Sequence, residues 1–418
     1  MNPGAERPGG SRRVRALIIL AATGVGGAAI LIAVCRGGQA SWWIRLLAVE
    51  AGLLCGAVLL GLLATPETRR GKWMKLAAGL LTATALSCGL LLAAEYAFYR
   101  LDQRRLAGQS RQGTHLEGHA YDFSWRLGYA PKPNSVATGT LRVDGQVIYD
   151  CHYTTDEFGR RVVPANAEEP PEQRREFLLL FGCSFVFGEG VKDGESLPNY
   201  VAALSKGYTV YNYGCSGYGP AQMLAQLERD DFEAEIVEPS GALVYVYFPG
   251  HIRRAIGSMS ITTQWGRHFP CYELDDAGSL VRLGTFKTAR PWLTEVYGLL
   301  SQEQVSRYFQ VDWPLRLKPR HLELTARILA EAARHYRERF GNDRFFVLVY
   351  PDLAINEIEP RAILPYLDGA GVQILDYSKT LDFSRAGYLF PVDRHPAAKA
   401  NRALAERVVL DLDRAIRH

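Results

Sequence analysis

EFLLLFGCSFVFGEG, residues 176–190, is the stretch whose reading decides the fold. EFLLLF (176–181) is an apolar run of buried-strand length, and a run without polar alternation suits a strand covered on both faces. Just past it stands Ser184, among Gly182, Gly188 and Gly190, which permit tight backbone turns.

The chain then alternates. LPNYVAAL (197–204) predicts a helix, YTVYNYG (208–214) a strand, PAQMLAQLERD (220–230) an amphipathic helix and ALVYVYF (242–248) a third strand. LELTARILAEAARHYRERF (322–340) predicts a long helix, RFFVLVY (344–350) and VQILDY (372–377) two further strands, and a helix from about Pro396 to Ile416 closes the chain. Strands separated by helices need crossovers, which gives a parallel sheet with helices on both faces. The domain at 176–418 is therefore expected to be α/β in three layers, with its site beyond the carboxyl ends of the strands.

Upstream, 101–175 is polar and rich in Gly, Pro and Asn; RLGYAPKPNS and YTTDEFGRR predict turns and short strands. Residues 1–100 hold three apolar stretches, about 16–35, 46–65 and 76–97, each near the 20 or so residues that a helix needs to cross a bilayer. The second contains Glu50. Arg7, Arg12, Arg13 and Arg15 precede the first stretch, and Arg69, Arg70, Lys72 and Lys75 the third. Positive charge stays cytoplasmic, so three crossings put the domain outside, in the periplasm of a cell with two membranes. The expectation is a multi-pass inner-membrane protein; if the Glu50 stretch does not cross, the domain faces the cytoplasm. A cleaved signal peptide would need a shorter apolar core and would leave two stretches unexplained, and a twin-arginine signal at SRRVRAL and a lipoprotein box at Cys35 fit less well because Arg15 and Val34 stand where those motifs want other residues.

A net charge of +4 over 418 residues argues against nucleic acid as a partner. The seven cysteines lack metal-ligand spacing, so neither metal nor cofactor is expected. Cys151, Cys183, Cys215 and Cys271 lie in the domain, where a disulfide is possible but cannot be deduced.

Four loops at the carboxyl ends carry chemistry. They hold Ser184, the glycine-rich turn NYGCSGYGPAQ (212–222), His251 in FPGHIRR (248–254), and Asp393 with His395 in PVDRHP (391–396). Nucleophilic acyl transfer needs this set: a hydroxyl, a base held by a third group, and donors for the charge on the carbonyl oxygen. Residues from about 176 to 415 resemble the SGNH (GDSL-like) hydrolase family. GCSFVFGEG resembles its nucleophile block, NYGCSGYG its second block and DRHP its last. The resemblance implies a flavodoxin-like sheet and a serine esterase. It makes Ser184 the nucleophile and one oxyanion donor, Gly217 the second donor, Asp393 the orienting acid and His395 the base. Cys183 replaces the family's Asp before the serine, and His251 stands near its third-block Asn, making it a candidate third donor. The implied substrate is an acyl ester, perhaps O-acetyl, on a glycan or lipid. An O-acyltransferase using the same triad and a non-catalytic binding protein on the same fold are the alternatives.

Blander readings stand beside these. Ser184 can be a turn serine, Asp393 a helix cap for the segment opened by Pro396, and His251 an interior histidine. Arg253 and Arg254 read as solvated charges, and Trp125 as a packing residue of its segment.

Overall fold

The computed structural model describes residues 52–58, 60–61, 63–64, 68–107, 113–117, 120–353 and 357–417. They fall into two compact units, one N-terminal with 303–309 added, the other running from 109 to 302 and from 310 to the end.

In the first unit a 39-residue helix spans Arg69–Ala107. It is the one helix among the described residues long and apolar enough to cross a membrane, where the sequence predicts three. The stretch at 16–35 lies outside the described residues, and that at 46–65 is described only in part, helical at 52–58. The Arg69–Ala107 helix overruns its apolar stretch at both ends. Once nucleated, a helix extends cheaply through good formers such as Arg, Gln and Leu, so charge at Asp102, Arg104 and Arg105 does not stop it. Within this unit the Glu95 carboxylate accepts the N–H groups of Gln304 and Val305, at the start of the short helix Gln304–Tyr308. Those N–H groups have no partner within their own helix.

Among the described residues the second unit holds twelve strands. In order they are β1 (Gly113–Glu117), β2 (Tyr121–Ser124), β3 (Gly128–Pro131), β4 (Val136–Val143), β5 (Gln146–Thr154), β6 (Glu176–Gly182), β7 (Tyr208–Gly214), β8 (Gly241–Tyr247), β9 (Pro270–Leu274), β10 (Leu280–Thr285), β11 (Phe345–Val349) and β12 (Gln373–Asp376). β6, β7, β8, β11 and β12 form the expected parallel sheet, in the order β12-β11-β8-β6-β7. That is the flavodoxin-like order, with its switch point where β6 lies between β7 and β8.

Alternate residues of each strand serve opposite faces. Phe177, Leu179 and Phe181 of β6 join Leu243, Tyr245 and Tyr247 of β8 on one face, under the helices Pro220–Leu227 and Pro319–Phe340. Leu178 and Leu180 join Val244 and Val246 on the other, under Leu197–Leu204 and Ala398–Arg417. Burying each such side chain contributes about 1.5–3 kcal/mol, so the central strands tolerate no polar replacement. The Leu197–Leu204 helix starts at a Ser196 cap, whose Oγ accepts the Asn199 N–H, with Pro198 in its first turn.

Segment 101–175 is more ordered than its composition suggests. Residues 101–107 complete the long helix; β1, β4 and β5 make an antiparallel sheet, and β2 and β3 a hairpin. β4 and β5 turn at Asp144-Gly145, both at positive φ, the pairing that tight hairpins favour. Tyr153 of β5 packs edge-on against Phe187, three residues past Ser184, and Tyr149 packs against Phe390, so this segment buttresses the loops of the sheet. Trp125 does not pack as expected: it is 83% exposed, touching Phe123 at the tip of the β2–β3 hairpin.

Candidate active site

β6 ends at Gly182, and Ser184 opens the single-turn helix Ser184–Phe187, which Gly188 closes in a left-handed conformation. A Cβ on Gly182 would come 2.5 Å from Val186, so only glycine lets the strand turn this sharply. Ser184 is buried, with its Oγ 2.9 Å from Nε2 of His395. On the ring's other side, Nδ1 lies 3.1 Å from Oδ2 of Asp393. That approach is an ion-pair contact rather than an aligned hydrogen bond; the other carboxylate oxygen accepts the His395 backbone N–H at 3.1 Å. Ser184 and the Asp393–His395 pair, far apart in sequence, are thus joined through the two sides of the imidazole ring.

The segment carrying the pair is strained. Val392 and Arg394 both have positive φ, 81° and 63°, on either side of Asp393. A β-branched residue rarely adopts that region, and such outliers gather at functional sites. Neighbours hold them: Phe390 N–H donates to the His395 carbonyl, and Arg394 donates to the Leu353 carbonyl at 3.1 Å. His395 itself precedes its helix, which begins at Ala398, so Asp393 is not placed as that helix's cap.

Burial pushes the His395 pKa down, but contact with Asp393 and the nearby Glu189 carboxylate outweigh it and leave the value raised, against an opposing push from Arg254. Glu189 was not singled out in the sequence. Its Oε2 lies 3.7 Å from Nε2 of His395 and accepts the Ser216 hydroxyl at 2.7 Å. The available signal was an acid set between two glycines of the nucleophile block.

Gly217 follows β7, the neighbour of β6. Its φ is +82°, and an added Cβ would meet the Tyr129 hydroxyl and Nε1 of Trp265. The turn is tied to β6 by the Cys215 N–H donating to the Gly182 carbonyl, and to β3 by the Tyr129 hydroxyl donating to the Ser216 carbonyl at 2.6 Å.

His251 follows β8, the other neighbour of β6, and is fully buried in the short helix Gly250–Ile256. Nδ1 faces the Tyr245 hydroxyl at 2.7 Å, while Nε2 has no hydrogen-bond partner among the described residues. Burial first, then Arg254, holds its pKa well below the ordinary histidine range, so the ring is neutral. Its ring neighbours are Tyr245, Tyr247 and Phe248 rather than Ser184 or His395; Phe248 in turn packs on Phe185.

The two arginines beyond it are not free solvated charges. Arg253 pairs with Asp312 and Glu357, and Arg254 donates to the Tyr218 carbonyl at 2.6 Å with its guanidinium over Phe248. The four cysteines of this unit are buried free thiols.

No protein-family model matches the chain, and no curated protein does. Among solved structures, a member of the lipolytic G-D-S-L family from Veillonella parvula is similar at 12% identity, over 56% of this chain and 96% of that one, with a TM-score of 0.33. A second solved structure is similar at 14% identity, over 58% and 98%, with a TM-score of 0.31. Likeness at this level leaves the activity to be argued from the site.

Proposed function

We propose that this chain is a membrane-anchored serine esterase of the SGNH type that works through an acyl-Ser184 intermediate. The observation that carries the reading is the His395 ring joining Ser184 Oγ on one side to the Asp393 carboxylate on the other, at 2.9 and 3.1 Å, at the carboxyl edge of a parallel sheet. His395 takes the serine proton as Oγ adds to the ester carbonyl, then gives it to the departing alcohol; water reverses the sequence and frees the acid. The Ser184 and Gly217 N–H groups serve the oxyanion from loops on neighbouring strands. His251 is the third donor in this reading: if the Tyr245 hydroxyl donates to Nδ1, then Nε2 carries a proton with no other partner.

A fluorophosphonate probe tests the reading. It should label the wild-type chain at Ser184 and fail on Ser184→Ala; an unlabelled, folded wild type would leave a binding protein on this fold. The anchor is tested separately. The helix Arg69–Ala107 exposes Leu80, Leu86, Leu90 and Leu91 and opens with the basic cluster Arg69, Arg70, Lys72 and Lys75, which suits a crossing with the domain outside. A reporter joined after Ala107 should be active only outside the cytoplasm.

A further inference from the structure

Glu189 is a carboxylate at the site that the triad does not use. Its place is built rather than incidental. It sits between Gly188 and Gly190, at φ 85° and 86°, where added Cβ atoms would strike Ser196 and Arg161 in one case and Phe390 in the other. Its N–H donates to the Ser184 carbonyl at 3.0 Å, and its carboxylate accepts the Ser216 hydroxyl. The buried Arg161 donates to the carbonyls of Phe187, Gly188 and Val191, fixing the loop on both sides.

The side of His395 on which it lies decides what it meets. In ester cleavage Nε2 takes the proton from Ser184 Oγ and hands it to the alcohol oxygen as the C–O bond breaks. A group 3.7 Å from Nε2 therefore borders the alcohol half of the substrate, not the acyl half. A carboxylate there repels an anionic alcohol and attracts a hydroxyl. The reacting oxygen has its proton committed to Nε2, so Glu189 must be served by a different hydroxyl close beside it. Two oxygens about one hydrogen-bond length apart are what a vicinal diol offers. Trp265, 39% exposed, stands against Gly217, the residue after the Ser216 whose hydroxyl Glu189 accepts, so an aromatic side chain borders the turn that carries the carboxylate's partner. A few placed polar groups beside an aromatic wall are the usual make-up of a small-molecule site.

We propose that Glu189, with Trp265, forms a subsite for a sugar-like alcohol, the carboxylate accepting a hydrogen bond from the hydroxyl vicinal to the esterified or attacking oxygen. This rests on the esterase reading above and names its substrate class. Four polar or charged groups act on His395 at the site, Ser184, Asp393, Glu189 and Arg254; of the two carboxylates Asp393 is taken by the histidine, and Glu189, whose Oε2 accepts the Ser216 hydroxyl, has acceptor capacity left for a substrate hydroxyl.

The test has two arms. In the first, the full-length wild type, Glu189→Ala and Glu189→Gln are compared on a mono-O-acetyl methyl glucoside and on cyclohexyl acetate, which lacks the diol but also releases a strongly basic secondary alkoxide. The readout is the ratio of the two kcat/KM values, taken on the pH plateau so that a change in His395 basicity acts on both substrates alike. The ratio should fall about ten- to hundred-fold in Glu189→Ala, the worth of a hydrogen bond to a charged group, and less in Glu189→Gln, which keeps an acceptor. An unchanged ratio overturns the proposal. In the second arm, methyl glucoside is titrated into Ser184→Ala protein and followed by the ring NMR signals of His395. The sugar should shift them, tetrahydropyran-4-ol, which has one hydroxyl and no vicinal partner, should shift them less, and Glu189→Ala should abolish the effect. Probe labelling of Ser184 without sugar binding overturns the subsite and leaves the esterase; sugar binding without labelling does the reverse.

Discussion

The guanidinium of Arg161 is wholly enclosed, and its Nε lies 2.9 Å from the carboxylate of Asp193. One cation thereby closes the loop between the nucleophile helix and the Leu197–Leu204 helix, since its other nitrogens take three carbonyls of the same loop. Its flat face is not idle: the guanidinium lies over the rings of Tyr153 and Phe187.

Arg161→Met should therefore destabilise the protein by about 3–5 kcal/mol, because it strands Asp193 and leaves buried carbonyls without donors. Arg161→Lys should recover only part of this, having no planar fork. Thermal unfolding of the detergent-solubilised chain measures it, and a loss below about 1 kcal/mol would mean that the loop is held by its glycines.

Asp393→Asn should depress turnover by about ten-thousand-fold, the loss seen when the orienting acid of a serine triad is neutralised, with little change in substrate affinity. Steady-state kinetics beside a folding control by circular dichroism checks this. A small loss would assign Asp393 to holding the His395 backbone alone.

The activity profile should follow His395. As a base it works deprotonated, and its raised pKa moves the acid limb of kcat/KM above the ordinary histidine value of 6.5. Asp393→Asn or Glu189→Gln should each move that limb to lower pH. Stability carries the same sign: a histidine with a raised folded pKa contributes fully below its unfolded value and loses that contribution as pH rises through the folded one. The stability gap between wild type and His395→Gln should narrow over that window in a pH series of denaturation curves.

His251→Ala should lower turnover by roughly a hundred- to thousand-fold if its Nε2 N–H serves the oxyanion, with apparent affinity hardly touched. His251→Asn should restore much of it and His251→Phe none. Tyr245→Phe should move turnover the same way, since it removes the hydroxyl facing Nδ1. Normal turnover in both the Ala and Phe variants would leave the oxyanion to backbone amides.

Much of this was legible in the sequence because the central strands are buried on both faces. YTVYNYG and LPNYVAAL match their elements residue for residue, at Tyr208–Gly214 and Leu197–Leu204. The sheet then brings Ser184 and His395 to one edge, which is why the loops could be read as neighbours before any coordinates. What resisted reading was governed by local context. The Arg69–Ala107 helix runs on past its apolar stretch, where hydrophobicity gives no signal. The β9–β10 hairpin and the short helices up to Tyr308 are half-exposed, and too brief for a periodicity to build. Arg161 and Glu189 are charges, which composition places at the surface; only the packing of the β4–β5 hairpin against the nucleophile loop encloses the first.

The triad's two reacting residues are separated by 211 positions, and His395 arrives only after the last strand of the sheet. A chain made from its N-terminus folds the nucleophile's strand long before the base exists. On the esterase reading proposed above, Ser184 lacks its base during synthesis until the final loop docks beside it. A chain cut short before Asp393 would then carry the serine without the base and should show no esterase activity, so activity would report that the last loop is in place.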